Sequence, residues 1–230
     1  MNNSEFLVVL RNAYAQYIEY GERSTKKLKN LHEAIASDLQ SRLGARYIVK
    51  SDANQRIKLS GRYYDKCVDI SVTMDNRELG GIGVKFPMSN YSQNSNNYFE
   101  CMLGETANIR SCEKAYFQIV ILPEKLPYFE KGNNIKKYEA ITDNNLSKYV
   151  KLSNDSVGDF MHAPNKTLLY IINTAVRDFS HITNREQLEA FMRSYLEITP
   201  SQTQRAFGNS IIYNDYNDFI IKISHYFQSM

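Results

Sequence analysis

The sequence predicts an α/β fold with a mixed central sheet that is flanked by helices on both faces. Apolar residues recur with the period of a helix at both ends of the chain and with the period of a strand between them. The predicted elements run in the order helices, strands, helix and strand, so helices have to cover both faces of the sheet. The length of 230 residues fits one domain, and we expect a single domain over residues 1–230.

Two helices are expected before the first strand. The first covers residues 3–20, where apolar positions form a stripe along one face. The second begins after Gly21 with Ser24 or Thr25 as its N-cap, and Gly44 ends it in the usual C-terminal role of glycine. The core-facing stripe of this second helix consists of Leu28, Leu31, Ile35, Leu39 and Leu43.

The middle of the chain has the shorter apolar period of β-strands, interrupted by one helix at about residues 95–111. The last strand of this region is almost wholly apolar, which indicates a central position in the sheet, and Pro123 and Pro127 end it. The predicted strands are 46–50, 56–60, 68–74, 82–86 and 115–122.

The second half of the chain is less regular. Residues 128–166 are polar and contain at best a short helical segment near 145–152. Residues 167–173 are apolar enough for a further core strand, and a helix is expected to begin at Thr183 or Asn184. The last twenty residues have the pattern of an amphipathic helix.

Composition and charge exclude several protein classes. A hydrophobic content of 43% with 12% aromatic residues is too high for a disordered chain. No apolar run approaches the roughly 18–20 residues that cross a bilayer, and the run FLVVL near the N-terminus is too short for a signal peptide. A net charge of +3 permits nucleic-acid binding without requiring it.

The cysteines and histidines indicate no zinc site. The three cysteines are odd in number, so we expect buried thiols in a reducing compartment and a cytoplasmic protein. The four histidines are scattered along the chain without the spacing of zinc ligands. These residues are Cys67, Cys101 and Cys112, and His32, His162, His181 and His225.

Two charged residues interrupt apolar strands in the middle of the chain. Asp69 lies between Val68 and Ile70, and Lys85 lies in the run Gly-Val-Lys-Phe. A charge in such a position is costly unless it is paired or used. A turn at 75–78 would close a hairpin with both side chains next to each other. The alternatives are an ordinary strand-edge aspartate and a lysine that extends its ammonium group to solvent.

Two carboxylates on the following predicted helix are candidates to complete a site with this pair. Glu100 and Glu105 are five positions apart, which is about 140° around a helix, so they do not point the same way. Glu105 is nearer the apolar side of the helix, whereas Glu100 is nearer its start and therefore nearer the strand of Lys85. We rank Glu100 slightly ahead, and an ordinary solvated glutamate is the alternative for each.

The spacing of Asp69 and Gly83-Val84-Lys85 resembles the signature of the PD-(D/E)XK nuclease superfamily, as found in type II restriction endonucleases. The resemblance covers about residues 30–122, and the run NSNNYFECMLGETANIR is similar to a segment of bacterial restriction enzymes. Cys67 and Val68 stand where a proline would precede the aspartate of the motif, and Gly83 replaces its second acidic residue. In some restriction enzymes a glutamate on the next helix supplies that carboxylate.

The resemblance implies a restriction-endonuclease-like fold and a sequence-specific double-stranded DNA endonuclease of a restriction-modification system. It implies that Asp69 and either Glu100 or Glu105 hold Mg²⁺, while Lys85 orients or activates the attacking water. A catalytic core at about residues 24–125 would carry recognition and dimerisation elements in 126–230 and in the first helix. Cutting both strands of a symmetric site implies a homodimer.

A polar segment between Lys85 and the following helix is a candidate DNA-binding loop. Amide side chains read adenine edges and contact phosphates, although asparagine is also a common loop and cap residue. The residues concerned are Ser89, Asn90, Gln93, Asn94, Asn96 and Asn97.

Two other functions remain open. One is a repair or recombination nuclease of the same fold, which would act on structured or damaged DNA without strict sequence choice. The other is a DNA-binding or defence subunit that has lost catalysis together with the acid at Gly83.

Overall fold

The computed structural model describes residues 1–21, 26–52, 57–174 and 181–230. Within these ranges the helices are α1 (Asn3–Tyr20), α2 (Lys26–Leu43), α3 (Tyr91–Arg110), α4 (Asp143–Ser153), α5 (Arg185–Tyr195) and α6 (Tyr216–Gln228). The first strands are β1 (Tyr47–Ser51), β2 (Ile57–Leu59), β3 (Lys66–Val68), β4 (Ile70–Met74), β5 (Arg77–Lys85) and β6 (Ala115–Pro123). The later strands are β7 (Lys125–Phe129), β8 (Ile135–Ala140), β9 (Lys166–Asn173), β10 (Thr199–Pro200) and β11 (Ile211–Tyr213).

A mixed sheet lies at the centre of the protein, in the order β1-β4-β5-β6-β9-β10, with β11 also paired to β9. Strands β1, β4 and β5 are antiparallel neighbours, whereas β5, β6 and β9 are parallel. Two short antiparallel pairs, β2 with β3 and β7 with β8, lie outside this sheet. The central strand β6 is buried along its whole length, as its apolar sequence predicts.

Helices cover both faces of the sheet, which confirms the predicted fold class. The larger apolar cluster joins residues of α1, α2, α5 and α6 to one face. A second cluster joins residues of α3 and α4 to the opposite face. A third, smaller cluster joins β2 and β3 to Ile109 of α3 and Tyr116 of β6.

The expected hairpin is present, with a tighter turn than expected. Asp75 and Asn76 both have positive φ, at 49° and 64°, which is the conformation of two-residue hairpin turns. Strand β5 therefore begins at Arg77, five residues before the expected strand. Its early glycines allow close packing, because a Cβ on Gly80 would lie 2.0 Å from the carbonyl oxygen of Ala115.

The third helix begins earlier than expected, at Tyr91. Its N-cap Asn90 has left-handed backbone angles and pairs with the β7–β8 hairpin. The Asn90 side chain donates to the Phe129 carbonyl oxygen at 2.9 Å and accepts from the Phe129 N–H at 3.0 Å. The expectation that Pro127 ends a strand was wrong, because Pro127 lies within β7.

Several other expectations are confirmed in outline. Strand β9 and the helices α5 and α6 lie where the apolar patterns predict them, and Asn184 is the N-cap of α5. The expected N-caps Ser24 and Thr25, and the strand residue Arg56, lie outside the described residues. The expectation of buried cysteines was wrong, because Cys67 and Cys101 are exposed. Among the described residues, no helix combines the length and apolar character needed to span a bilayer.

Helices from the two ends of the chain pack against each other. The ring of Phe6 in α1 stacks on Tyr216 of α6, with ring centroids 4.1 Å apart, and contacts Tyr170 of β9 edge-on. The side chain of Asn3 donates to Asp215 at 3.0 Å. Residues of the expected catalytic core and of both expected elaborations thus share one apolar cluster.

We expect Phe6→Ala to lower the free energy of unfolding by about 3–5 kcal/mol, because it leaves a cavity between α1, α6 and β9. The matched control is Val8→Ala on the same helix, since Val8 is 59% exposed. The control should change stability by less than about 0.5 kcal/mol. Urea titration followed by circular dichroism measures both changes, and equal stability of the two variants would contradict the packing described.

Candidate functional site

Asp69 lies at a break between two strands. The chain pairs with β2 before this residue and with β1 and β5 after it. Because Ile70 is paired with Ile82, the carboxylate of Asp69 reaches the end of β5 and accepts a hydrogen bond from the Val84 N–H at 2.6 Å. The backbone carbonyl of Asp69 accepts from the Asp52 N–H at 2.9 Å. The break thus fixes this carboxylate beside the second strand of the hairpin.

Lys85 and Glu105 meet beside this carboxylate. Lys85 is the last residue of β5, and its Nζ lies 3.6 Å from Oε1 of Glu105 on α3. The same oxygen lies 2.8 Å from Nζ of Lys66 on β3. The Glu105 side chain is only 11% exposed, so it pairs with both ammonium groups in a largely dry environment. Three of the four expected catalytic side chains, those of Asp69, Lys85 and Glu105, therefore converge at one end of the hairpin.

The fourth residue, Glu100, lies elsewhere. Its side chain is exposed on α3, and its charge acts on Lys148 of α4. We expected Glu100 to lie nearer to Lys85 than Glu105 does. This expectation was wrong, because Glu105 is the carboxylate that contacts Lys85. The reason is the rotation of about 140° between the two positions, which turns Glu105 toward the sheet and Glu100 toward solvent.

Burial and charge set the ionisation of these groups. Burial raises the pKa of Asp69, and the charges of His32 and Lys85 and the Val84 N–H reduce that increase without cancelling it. Partial burial acts to lower the pKa of Lys66, but its hydrogen bond to Glu105 and that carboxylate's charge outweigh burial, so the pKa is raised. The ionised form of Asp69 is thus destabilised by burial, and a nearby cation would stabilise it.

Gly83 faces a buried amide across the parallel pair of β5 and β6. Gly83 is in register with Gln118, whose side chain is fully buried, and neither amide atom of Gln118 has a hydrogen-bond partner. A Cβ on Gly83 would lie 2.7 Å from Gln118 Oε1 and 2.9 Å from the hydroxyl oxygen of Tyr116. The space that an acidic side chain needs at position 83 is therefore occupied by Gln118 and Tyr116.

The segment expected to be a DNA-binding loop is largely helical, so the expectation of a loop was wrong. Its residues from position 91 onward form the first turns of α3, and Ser89 is buried. Asn90 is engaged with β7, as described above. The Asn96 side chain accepts from Lys148 at 3.1 Å, and Gln93 accepts from Tyr128 at 3.2 Å. The exposed amides of the set are those of Gln93, Asn96 and Asn97, while Asn94 is half-buried.

His32, which lacks the spacing of a zinc ligand in the sequence, lies next to Asp69. Nδ1 of His32, on α2, is 2.6 Å from Oδ1 of Asp52, which follows β1. One ring nitrogen of His32 and one carboxylate oxygen each of Asp52 and Asp69 lie within 4.8 Å of one another. Among the described residues, these three side chains form a group of histidine and carboxylate ligands that is close enough to hold a metal ion. Its sequence signal was the position of His32 on the apolar stripe of α2, three residues before Ile35.

Gln118 also had a sequence signal, because it is a polar residue in the middle of an almost wholly apolar strand. Lys66 had none, because a lysine three residues before Asp69 on a short strand is unremarkable in sequence.

A comparison of the chain with models of protein families, with curated proteins and with solved structures found no match.

We expect Gly83→Ala to destabilise the protein by about 1–3 kcal/mol, because the added methyl group overlaps the buried amide of Gln118. Gly104→Ala on α3 is the matched control, since a Cβ there meets nothing within 4 Å. The control should gain about 0.5–1 kcal/mol from helix propensity. Opposite signs in thermal denaturation support the packing around Gly83, and a neutral Gly83→Ala would contradict it.

We expect Asp69→Asn to raise the melting temperature at pH 7 in the presence of EDTA. The pKa of Asp69 is raised in the folded state, so stability falls as the pH rises from the unfolded pKa through the folded pKa, and the full cost is present above the folded pKa. Below the unfolded pKa of about 4 the carboxyl is protonated in both states and the advantage of the variant should vanish. Melting curves of both proteins between pH 3.5 and about 8 measure the difference. A gain that is independent of pH would contradict this electrostatic explanation.

Proposed function

We propose that this protein is a Mg²⁺-dependent phosphodiester hydrolase acting on double-stranded DNA, and specifically an endonuclease of restriction type. The observation that carries the proposal is the convergence of Asp69, Lys85 and Glu105 at one end of the β4–β5 hairpin. Metal-assisted phosphodiester hydrolysis needs carboxylates for the ion and a cation near the phosphate, and this cluster has both.

The donor atoms of the cluster fit Mg²⁺, which prefers oxygen ligands and retains several of its waters. Asp69 and Glu105 would hold the ion, and the unpartnered Oε1 of buried Gln118 is a further oxygen donor at the position of Gly83. When bound, Mg²⁺ polarises the phosphoryl oxygen and increases the acidity of a bound water. The missing acid at position 83 is therefore compensated by Glu105 and Gln118.

Lys85 supplies the positive charge of the proposed site. Its ammonium group lies 3.6 Å from Glu105 and is 26% exposed, so it is held in position and still reaches solvent. In this role it orients the attacking water and stabilises the charge that develops on the phosphate. Lys66 binds the same oxygen of Glu105 and thereby keeps that carboxylate turned toward the sheet.

Exposed polar and basic side chains near α3 support DNA as the proposed substrate. The exposed amides of Gln93, Asn96 and Asn97 lie on the first turns of α3, the helix that carries Glu105, and amides form bidentate contacts with adenine. The β7–β8 hairpin carries exposed lysines and packs against the start of α3, where the Ser92 N–H donates to Glu139. Cleavage of both strands at a symmetric site requires a homodimer.

A catalytically inactive DNA-binding protein is the second candidate. The observation in its favour is that Glu105 is already bound by both Lys66 and Lys85, while position 83 has no side chain. In that case the cluster is a buried ion-pair network with a structural role.

The deciding experiment incubates the protein with Mg²⁺ and a long DNA of mixed sequence. Discrete fragments support a restriction enzyme, a smear supports a non-specific or repair nuclease, and intact DNA that is nonetheless bound supports the inactive candidate. Gel electrophoresis for cutting and a mobility shift for binding give the two readouts.

We expect Lys85→Ala and Glu105→Gln each to reduce the cutting rate by about 100-fold or more, since each removes a group of the reacting site. Glu100→Gln is the matched control on the same helix and should cut within about twofold of the original protein. A Glu105→Gln variant that cuts as fast as the original would remove this residue from the site.

A further inference from the structure

A second group of potential ligands adjoins the site described above. His32 comes from α2, Asp52 from the end of β1, and Asp69 from the break between β3 and β4. One ring nitrogen of His32 and one carboxylate oxygen of each aspartate lie within 4.8 Å of one another. Three separate elements therefore bring their ligand atoms close together. At these distances one ion can contact all three side chains.

The buried histidine is incompletely satisfied. His32 is 3% exposed, and its Nε2 is buried with no hydrogen-bond partner, while its Nδ1 is 2.6 Å from Asp52. An ion bound at Nδ1 would take the place of the hydrogen bond to Asp52, so that the imidazole and this carboxylate would contact the same ion.

The composition of the group points the same way. Two carboxylates lie beside one imidazole in a half-buried location, so the group offers oxygen and nitrogen ligands for a cation. A structural histidine–aspartate pair does not explain the third residue. The pair of His162 and Asp155, at 3.4 Å, is half-exposed and has no third ligand among the described residues.

We propose that His32, Asp52 and Asp69 form a binding site for a divalent transition-metal ion such as Mn²⁺. Imidazole nitrogen favours these ions over Mg²⁺ and Ca²⁺, and the two carboxylates favour Mn²⁺ over softer ions. The Asp52 side chain is 37% exposed, so the group is open to solvent on the Asp52 side. Asp69 is shared with the site of the proposed function, but the inference does not require catalysis.

The test is a calorimetric titration of the full chain with Mn²⁺. Mn²⁺ is chosen because the exposed thiols of Cys67 and Cys101 bind softer ions. We expect His32→Gln and Asp52→Asn each to weaken binding at one site by at least about tenfold. His162→Gln is the matched control and should leave the titration unchanged.

Two further measurements distinguish a loss of metal binding from a loss of folding and from a failure of the proposed function. Circular dichroism of the metal-free variants checks that His32→Gln is folded, and Asp52→Asn tests the same site from a more exposed position. Glu105→Gln should keep the His32-dependent binding even though it abolishes the proposed cutting. Retained binding without any DNA cutting supports this inference while rejecting the proposed function. Titrations of His32→Gln and Asp52→Asn that match the original protein would overturn the inference, as would an original protein that binds no Mn²⁺.

Discussion

Burial of one carboxylate at the break between β3 and β4 is the constraint on which the rest of the site depends. Asp69 is held there by the Val84 N–H, and burial raises its pKa because the ionised form loses its hydration. The neighbouring positive charges of Lys85 and His32 offset part of this cost. A cation close to this carboxylate would stabilise its ionised form further.

Packing also limits the neighbouring position on β5. In the parallel pair of β5 and β6, Gly83 lies opposite Gln118, and a Cβ at position 83 would overlap the Gln118 amide. The carboxylate that contacts Lys85 comes from the helix instead. Glu105 pairs with both Lys66 and Lys85, which keeps it on the inner side of α3.

Periodicity predicted most of the fold, because burying one face of an element imposes a local pattern on its own sequence. The stripes of α1 and α2, the apolar β6 and β9, and the N-cap of α5 are all features of this kind. The start of α3 was missed, since it depends on hydrogen bonds from Asn90 to a hairpin about forty residues later. The β7–β8 hairpin has no clear strand pattern, because neither strand alternates strictly between buried and exposed residues.

By itself the sequence determined the fold class and the pair Asp69 and Lys85, because a charge inside an apolar run is visible without any knowledge of its neighbours. Only the tertiary structure decided that Glu105 and not Glu100 meets Lys85, and that His32 and Asp52 join Asp69. The physical reason is that these contacts depend on how α2 and α3 are rotated against the sheet. Many distant apolar contacts set that rotation jointly, and no single stretch of sequence records it.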